Sequence, residues 1–402
     1  MTALTLPQDK IACKSSDREG FWENCRVPVM ILGDHFGYPG NVVHGVTTYY
    51  LNIIPALVAH GVSVHACFLR EPHPAAQELR DKGIEPVFFS AGKWNPFVAL
   101  RLAAYMRRHD CKIVHACGIK ASLIARIAAR LVGSKVIVHV HDQLYPGFLV
   151  RAAHRLFARH SDVGVSVSGA ATEVAVNGYH IDRAHSRVIH NGLPLHNIRA
   201  VDQTARSKLR EELNIPESAL AIAVIARMHP IKGHRSMLAI MAQVAEKRHD
   251  AVLILAGDGP ERPACEELAK RLGISAHVRF LGSRNDVPEL ISASDLVAVP
   301  SKSEGLSMVA IEACAVGRPV VAFDAGGLRD VISHGTTGYL VPPGDENGFA
   351  KAILDLAADP EKRAQFGEHG KAEAQRFTLD NHVNKLLICY LEVAGLTTTL
   401  LN

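Results

Sequence analysis

Glu304 and Glu312 are the residues whose type and spacing most directly suggest chemistry. They stand in Pro300-Ser-Lys-Ser-Glu-Gly-Leu-Ser-Met-Val-Ala-Ile-Glu-Ala-Cys-Ala-Val-Gly-Arg-Pro319. A polar loop ends at Glu304, and the apolar stretch after it reads as a helix up to Gly317. On a helix, residues eight apart are separated by about 80° in azimuth and about 12 Å along the axis. That is the length of a nucleotide sugar: one acid can hold a ribose while the other lies near the sugar. The N–H groups of Ser307, Met308 and Val309, unbonded at a helix start, would face the phosphates between them. On spacing alone, the pair also fits an amphipathic helix with two solvated acids.

Arg227 and Lys232 carry the next signal. Ala221–Ala226 reads as a strand, and Arg227-Met-His-Pro-Ile-Lys-Gly233 contains the short loop after it. Two fixed cations at a strand end match a leaving diphosphate, whose charge grows as a glycosidic bond breaks. Preorganised groups of this kind contribute on the order of 3–4 kcal/mol each. The plainer reading is an ordinary surface pair.

Elements must hold these groups in place, and strand and helix signals alternate along the chain. Val27–Gly33 reads as a buried parallel strand, followed by a loop with Gly37, Gly40 and Gly45. A helix then runs from about Val46 to His60, broken or bent near Pro55. Val62–Leu69, Ile113–Ala116, Lys135–His141 and Val163–Ser168 read as strands, with a helix over Ala121–Leu131. A second series starts after Asn191-Gly192-Leu193-Pro194. It has strands at Ala219–Ala226, Ala251–Ala256, Val278–Leu281, Leu296–Val299 and Pro319–Phe323, and a helix over His234–Lys247. Such alternation implies α/β architecture: parallel sheets with helices on both faces. Gly257-Asp-Gly-Pro260, Phe280-Leu-Gly282 and Gly326-Gly327 each end a strand, and each alone is merely a turn. The expected organisation is a polar leader over 1–26, a first Rossmann-like domain over 27–194 and a second over 195–379. Two doubly wound units side by side would leave a ligand cleft where their strand ends face each other. A last helix spans about Asp380 to Val393.

Composition narrows the class. A chain of 402 residues suffices for two domains, and its 48% hydrophobic and 21% charged residues are those of a soluble globular protein. No apolar run reaches the ~18 residues of a membrane span, and the leader lacks a signal peptide's apolar core. The eight cysteines are scattered without a Cys-x-x-Cys pair, which fits reduced thiols in the cytoplasm. His139 and His141 share a strand face by alternation, but no acidic or cysteine cluster supports a metal there. Charge is uneven: Pro96–His160 holds eleven Lys/Arg against Asp110 and Asp142, a net +9 within a chain of +4. Such a field attracts anionic partners. No nucleic-acid motif accompanies it, so nucleic acid is not expected. Within this segment Gly147–His160 reads as a helix. Arg151, Arg155 and Arg159 form one stripe, and Leu149, Ala153, Leu156 and Phe157 form an apolar face. Both an anionic membrane surface and a core packing with a solvated stripe suit it.

The two glutamates, with Pro-Ser before them and Ala-x-Gly-x-Pro after, closely resemble the paired-glutamate motif of the family 4 retaining glycosyltransferases. Arg227-x4-Lys232-Gly233 resembles that family's pyrophosphate-binding element. The resemblance spans about Val27 to Ala394 and is strongest from Arg227 to Gly338. It implies the GT-B fold, two Rossmann-like domains facing across a cleft, with the 380–402 helix returning onto the acceptor-side first domain. Asn191-Gly192 matches the family's interdomain turn. By the same resemblance Glu312 holds the ribose, Glu304 steadies the sugar or its developing positive charge, and His141 faces the donor sugar, with His139 the runner-up. Gly45 lies near the donor phosphates. His44 stands where the family often has a second glycine, and either contacts the acceptor or caps the loop. Ser283 and Arg284 flank the nucleobase. The implied activity is retaining transfer of a sugar from a nucleotide-diphosphate sugar to a glycan or lipid-linked acceptor, in cell-envelope or exopolysaccharide synthesis. The chain has no Asp-x-Asp, the motif with which GT-A transferases hold a cation, so neither a cofactor nor an essential metal is expected. The expected location is cytoplasmic, on the inner membrane face if the basic segment docks. A non-catalytic nucleotide-sugar-binding protein and a GT-B-fold epimerase or phosphorylase remain as alternatives.

Overall fold

A computed structural model describes residues 27–37, 45–90, 92, 95, 97–198 and 200–396. The leader over 1–26, Gly40 and His44 lie outside these residues. The first sheet has strands β1 (Val29–Gly33), β2 (Val64–Phe68), β3 (Val87–Phe88), β4 (Ile113–Cys117), β5 (Lys135–Val140), β6 (Val163–Ser166) and β7 (Ser186–Val188), in the order β3-β2-β1-β4-β5-β6-β7. The second has β8 (Ala221–Ile225), β9 (Val252–Ala256), β10 (Val278–Gly282), β11 (Leu296–Val299), β12 (Val320–Phe323) and β13 (Gly338–Val341), in the order β10-β9-β8-β11-β12-β13. The described pairings are parallel, as in β1 with β2 and β4, and β8 with β9 and β11. Strand order reverses between β1 and β4, and again between β8 and β11. At such a switch point the loops diverge and leave room for a ligand. β1, β4 and β9 are buried throughout; β1 and β9 accordingly read as unbroken apolar runs, while β4 carries the buried His115.

The chain packs as two compact units. One takes the chain up to His139, returns for Leu156–Val163 and resumes at Leu387; the other comprises Val140–Arg155 and Gly164–Leu386. In the first, the helix Gly45–Ala59 continues through Pro55 without the expected break. Proline removes one N–H there, yet the turn beyond it still closes, with His60 N donating to Ala56 O at 3.1 Å. This unit has a polar centre. His115 Nδ1 lies 2.6 Å from Tyr390 Oη, its Nε2 lies 2.8 Å from His139 Nδ1, and Tyr49 Oη lies 3.3 Å from the same His139 atom. Arg126, one cation of the basic segment, is also buried and donates to Ser161 Oγ at 2.6 Å.

In the second unit, Met237, Leu238 and Met241 of the helix His234–Lys247 pack with Ile222, Val224, Leu253 and Leu255 of β8 and β9. The edge where β8 and β11 begin is pinned by Asp295, which accepts from buried Arg210 and from Ala221 N at 2.8 Å each. Among the described residues, no helix is long and apolar enough to cross a membrane.

Candidate functional site

β8 ends at Ile225, and the loop that follows carries both cations. Arg227 is exposed, while the neighbouring Met228 is fully buried and anchors the turn. Met228 N donates to Asp258 O at 2.9 Å, and Gly257 N to Gly282 O at 2.7 Å. The glycine-bearing run after β9 is therefore stitched both to the Arg227 loop and to the end of β10. Lys232 closes a short 3₁₀ turn capped by Gly233 at φ 72°. A methyl group at Gly233 would sit 1.9 Å from Pro300 O, so only glycine lets this turn meet the loop after β11. Lys302 N donates to Ile231 O at 2.8 Å and joins the same two loops. Lys232 Nζ consequently reaches Glu304 Oε1 at 2.8 Å, with the Glu304 side chain only 10% exposed.

Glu304 lies on a loop, and the helix begins at Met308, within the Ser307–Val309 start that the sequence indicates. The residues between serve a backbone approach instead of a helical turn. A methyl group at Gly305 would lie 2.0 Å from His141 O, which makes Gly305 the seat on which the end of β5 rests. Gly327 N donates to Glu304 O at 2.9 Å, and Ser303 Oγ donates to Gln143 Oε1 at 3.0 Å. Three loops thus converge at Glu304: His141–Gln143, Ser303–Gly305 and Gly326–Gly327. His141 belongs to this convergence. His139, its runner-up, is fully buried in the polar centre of the other unit. β5 ends at Val140, so His141 lies just beyond the strand. The ligand atoms of His115, Cys117 and His139 lie within 4.8 Å of one another.

Ser307 is the N-cap of the helix Met308–Val316, and its side chain does not cap the first turn. The N–H groups at this start have no intrahelical acceptor. Glu312 lies one turn further in and is half-buried. Burial pushes its carboxyl up to about 7, well above the usual carboxylate range. Arg284, beyond β10, is exposed and makes a two-point contact with Asp286. Gly45, in the other unit, is the first residue of its helix, and a methyl group there would meet nothing within 4 Å. The fold itself places no demand for glycine at Gly45. Lys232, Glu304, His141 and the Ser307 helix start are brought together; Arg227 and Glu312 lie on the same loop and helix. Gln143 and Ser303 were not visible in the sequence, because they meet across 160 residues without a motif.

Fixed cations, an acid and a helix start beside the switch point of the second sheet define a site suited to a phosphorylated ligand. The chain belongs to the family 4 glycosyltransferases: the Glycosyl transferases group 1 model matches residues 205–373, and the Glycosyltransferase Family 4 model matches residues 43–197. A D-inositol 3-phosphate glycosyltransferase of Corynebacterium urealyticum is 33% identical over 249 residues, 60% of this chain and 59% of that protein. A second, from Corynebacterium kroppenstedtii, is 36% identical over 50% of this chain and 46% of its own length, so the chain matches about half the length of these relatives. HepE of Anabaena, solved in complex with UDP, superposes with a TM-score of 0.80 at 24% identity, covering 91% of this chain and all of that one. The likeness gives the fold, which is GT-B.

Proposed function

We propose that the protein is a retaining, metal-independent glycosyltransferase that moves a sugar from a nucleoside-diphosphate sugar to a hydroxyl-bearing acceptor. The observation that carries this reading is the Lys232–Glu304 pair at 2.8 Å, held beside a helix start and followed by Glu312. Glu304 pairs with Lys232 and neutralises it. An incoming diphosphate would take over the lysine and release Glu304 toward the sugar. Arg227, Lys232 and the helix N–H groups would then stabilise the charge that grows on the leaving diphosphate, which is why a cation need not be supplied. Glu312 would accept from the ribose hydroxyls, His141 would position the sugar, and Arg284 would lie beside the base.

In the reaction the acceptor oxygen bonds to the anomeric carbon as the bond from that carbon to the phosphate oxygen breaks. Attack comes from the face the diphosphate leaves, so configuration is retained, and the hydroxyl proton passes to the departing phosphate oxygen. A glycan or a lipid-linked acceptor fits this scheme, in cell-envelope or exopolysaccharide synthesis, with the protein in the cytoplasm at a membrane face.

A donor panel in EDTA tests the reading, beginning with UDP-glucose, the ligand solved with HepE. The expected result is thermal stabilisation by one donor and slow nucleoside diphosphate release, both weakened by Lys232→Ala and Glu312→Ala. Stabilisation without release, even with acceptor extracts, would mark a non-catalytic nucleotide-sugar-binding protein. An altered sugar still joined to its nucleotide would mark an epimerase. No response to any donor would sink the donor site as drawn.

A further inference from the structure

We infer that the helix Phe148–Leu156 docks flat on an anionic lipid bilayer and so presents a lipid-borne acceptor to the site. The docking stands on its own observations; the acceptor rests on the transferase reading.

The face of this helix departs from the sequence expectation. The helix ends at Leu156, so Arg159 lies outside it, on the 3₁₀ turn Ala158–His160. At about 100° per residue, with Phe148 at the origin, Ala153, Val150 and His154 fall at roughly 140°, 200° and 240°. These are half-buried or, for His154, fully buried. The opposite arc runs Arg151, Arg155, Phe148, Ala152, Leu156, Leu149, from roughly 300° through zero to roughly 100°, and every one of them is exposed. Phe148, Leu149 and Leu156 are 85%, 80% and 70% exposed. A helix covered only by solvent would turn such residues inward; this one turns a polar histidine inward and its apolar strip out. Leu144 and Tyr145, just before it, are exposed as well. Single exposed apolar residues are ordinary, but a contiguous patch marks a docking face.

Charge selects the occupant. Between Asp142 and Asp162 there is no acid, and Arg151, Arg155 and Arg159 are the cations. Arg151 and Arg155 form one edge of the outward face and the apolar strip lies beside them. Arginines can meet lipid phosphates while the strip enters the acyl boundary. Pairing this face with its own copy would instead set arginine edge near arginine edge. The location also suits an acceptor. His141, seated on Gly305, is seven residues before Phe148, which bounds the chain between them to roughly 25 Å.

The test uses the full chain with vesicles of phosphatidylcholine alone and with added phosphatidylglycerol, read by flotation. The wild type should bind only the anionic vesicles. Phe148→Glu with Leu149→Glu should weaken binding at least about tenfold, and Arg151→Gln with Arg155→Gln by about fivefold for each charge. Both double variants should keep the wild-type melting temperature and donor-induced stabilisation. Absence of binding to anionic vesicles, or binding untouched by either variant, would overturn the docking. So would a wild-type dimer that the Phe148/Leu149 variant converts to monomer without any vesicle binding, which would assign the face to a second copy. Anionic vesicle binding by a protein inert toward every donor would leave the docking intact and remove the transferase reading.

Discussion

Glu312 is held where an acid changes charge near neutral pH. Its carboxyl is pushed up to about 7 by burial, while ribose hydroxyls donate best to the ionised form. Donor binding should therefore release a proton from it. Affinity for the donor should fall as pH drops from 8 to 6, approaching tenfold per unit once Glu312 is protonated. Titration calorimetry in two buffers of different ionisation enthalpy would read this, and Glu312→Gln should flatten it. The sign for stability is opposite. A raised folded pKa makes the ionised form costly, so Glu312's stabilising contribution is full below the ordinary carboxylate range and is lost as pH rises through 7. Glu312→Gln should lessen the fall in melting temperature of the empty protein between pH 5 and pH 8. At Lys232 and Glu304 the two roles separate. Lys232→Ala should weaken nucleoside diphosphate binding, whereas Glu304→Gln should keep binding and lower turnover at least about a hundredfold. Equal losses of binding in both would contradict the proposed exchange of partners.

At the scale of elements, the junction of three loops depends on one backbone approach. Gly305→Ala would drive a methyl group to 2.0 Å from His141 O, a backbone atom that cannot swing aside. The expected cost is about 1–3 kcal/mol of stability by denaturation, as for overpacking, with a larger loss of turnover than of donor binding. The central strands were legible because a buried parallel strand is an apolar run. β3 and β7, two and three residues long, offer no such run and went unread. Glu304, Glu312, Arg227 and Lys232 were readable as a pattern of charges near glycine. The junction of loops was not, because Gly305 reads as the leading edge of an apolar stretch while its backbone meets His141 O. Periodicity also ran the helix Phe148–Leu156 too far, to His160. It tells which residues share a side but not whether that side meets protein or solvent, and here the apolar side is outward.

The whole molecule ties its last helix to the interior of its first unit. Tyr390 Oη lies 2.6 Å from His115 Nδ1 across 275 residues of chain. Tyr390→Phe should cost about 1–3 kcal/mol of stability, because it strips a hydrogen bond from a buried ring; a melting temperature equal to the wild type would deny the helix that role. Electrostatics at this scale return to Lys232 and Glu304. Since they neutralise each other, donor binding trades one anion for another at the lysine. The pair itself then offers long-range attraction little unbalanced charge to act through. Removing both charges together, Lys232→Ala with Glu304→Gln, should therefore leave the salt dependence of donor arrival nearly unchanged and shorten how long the donor stays.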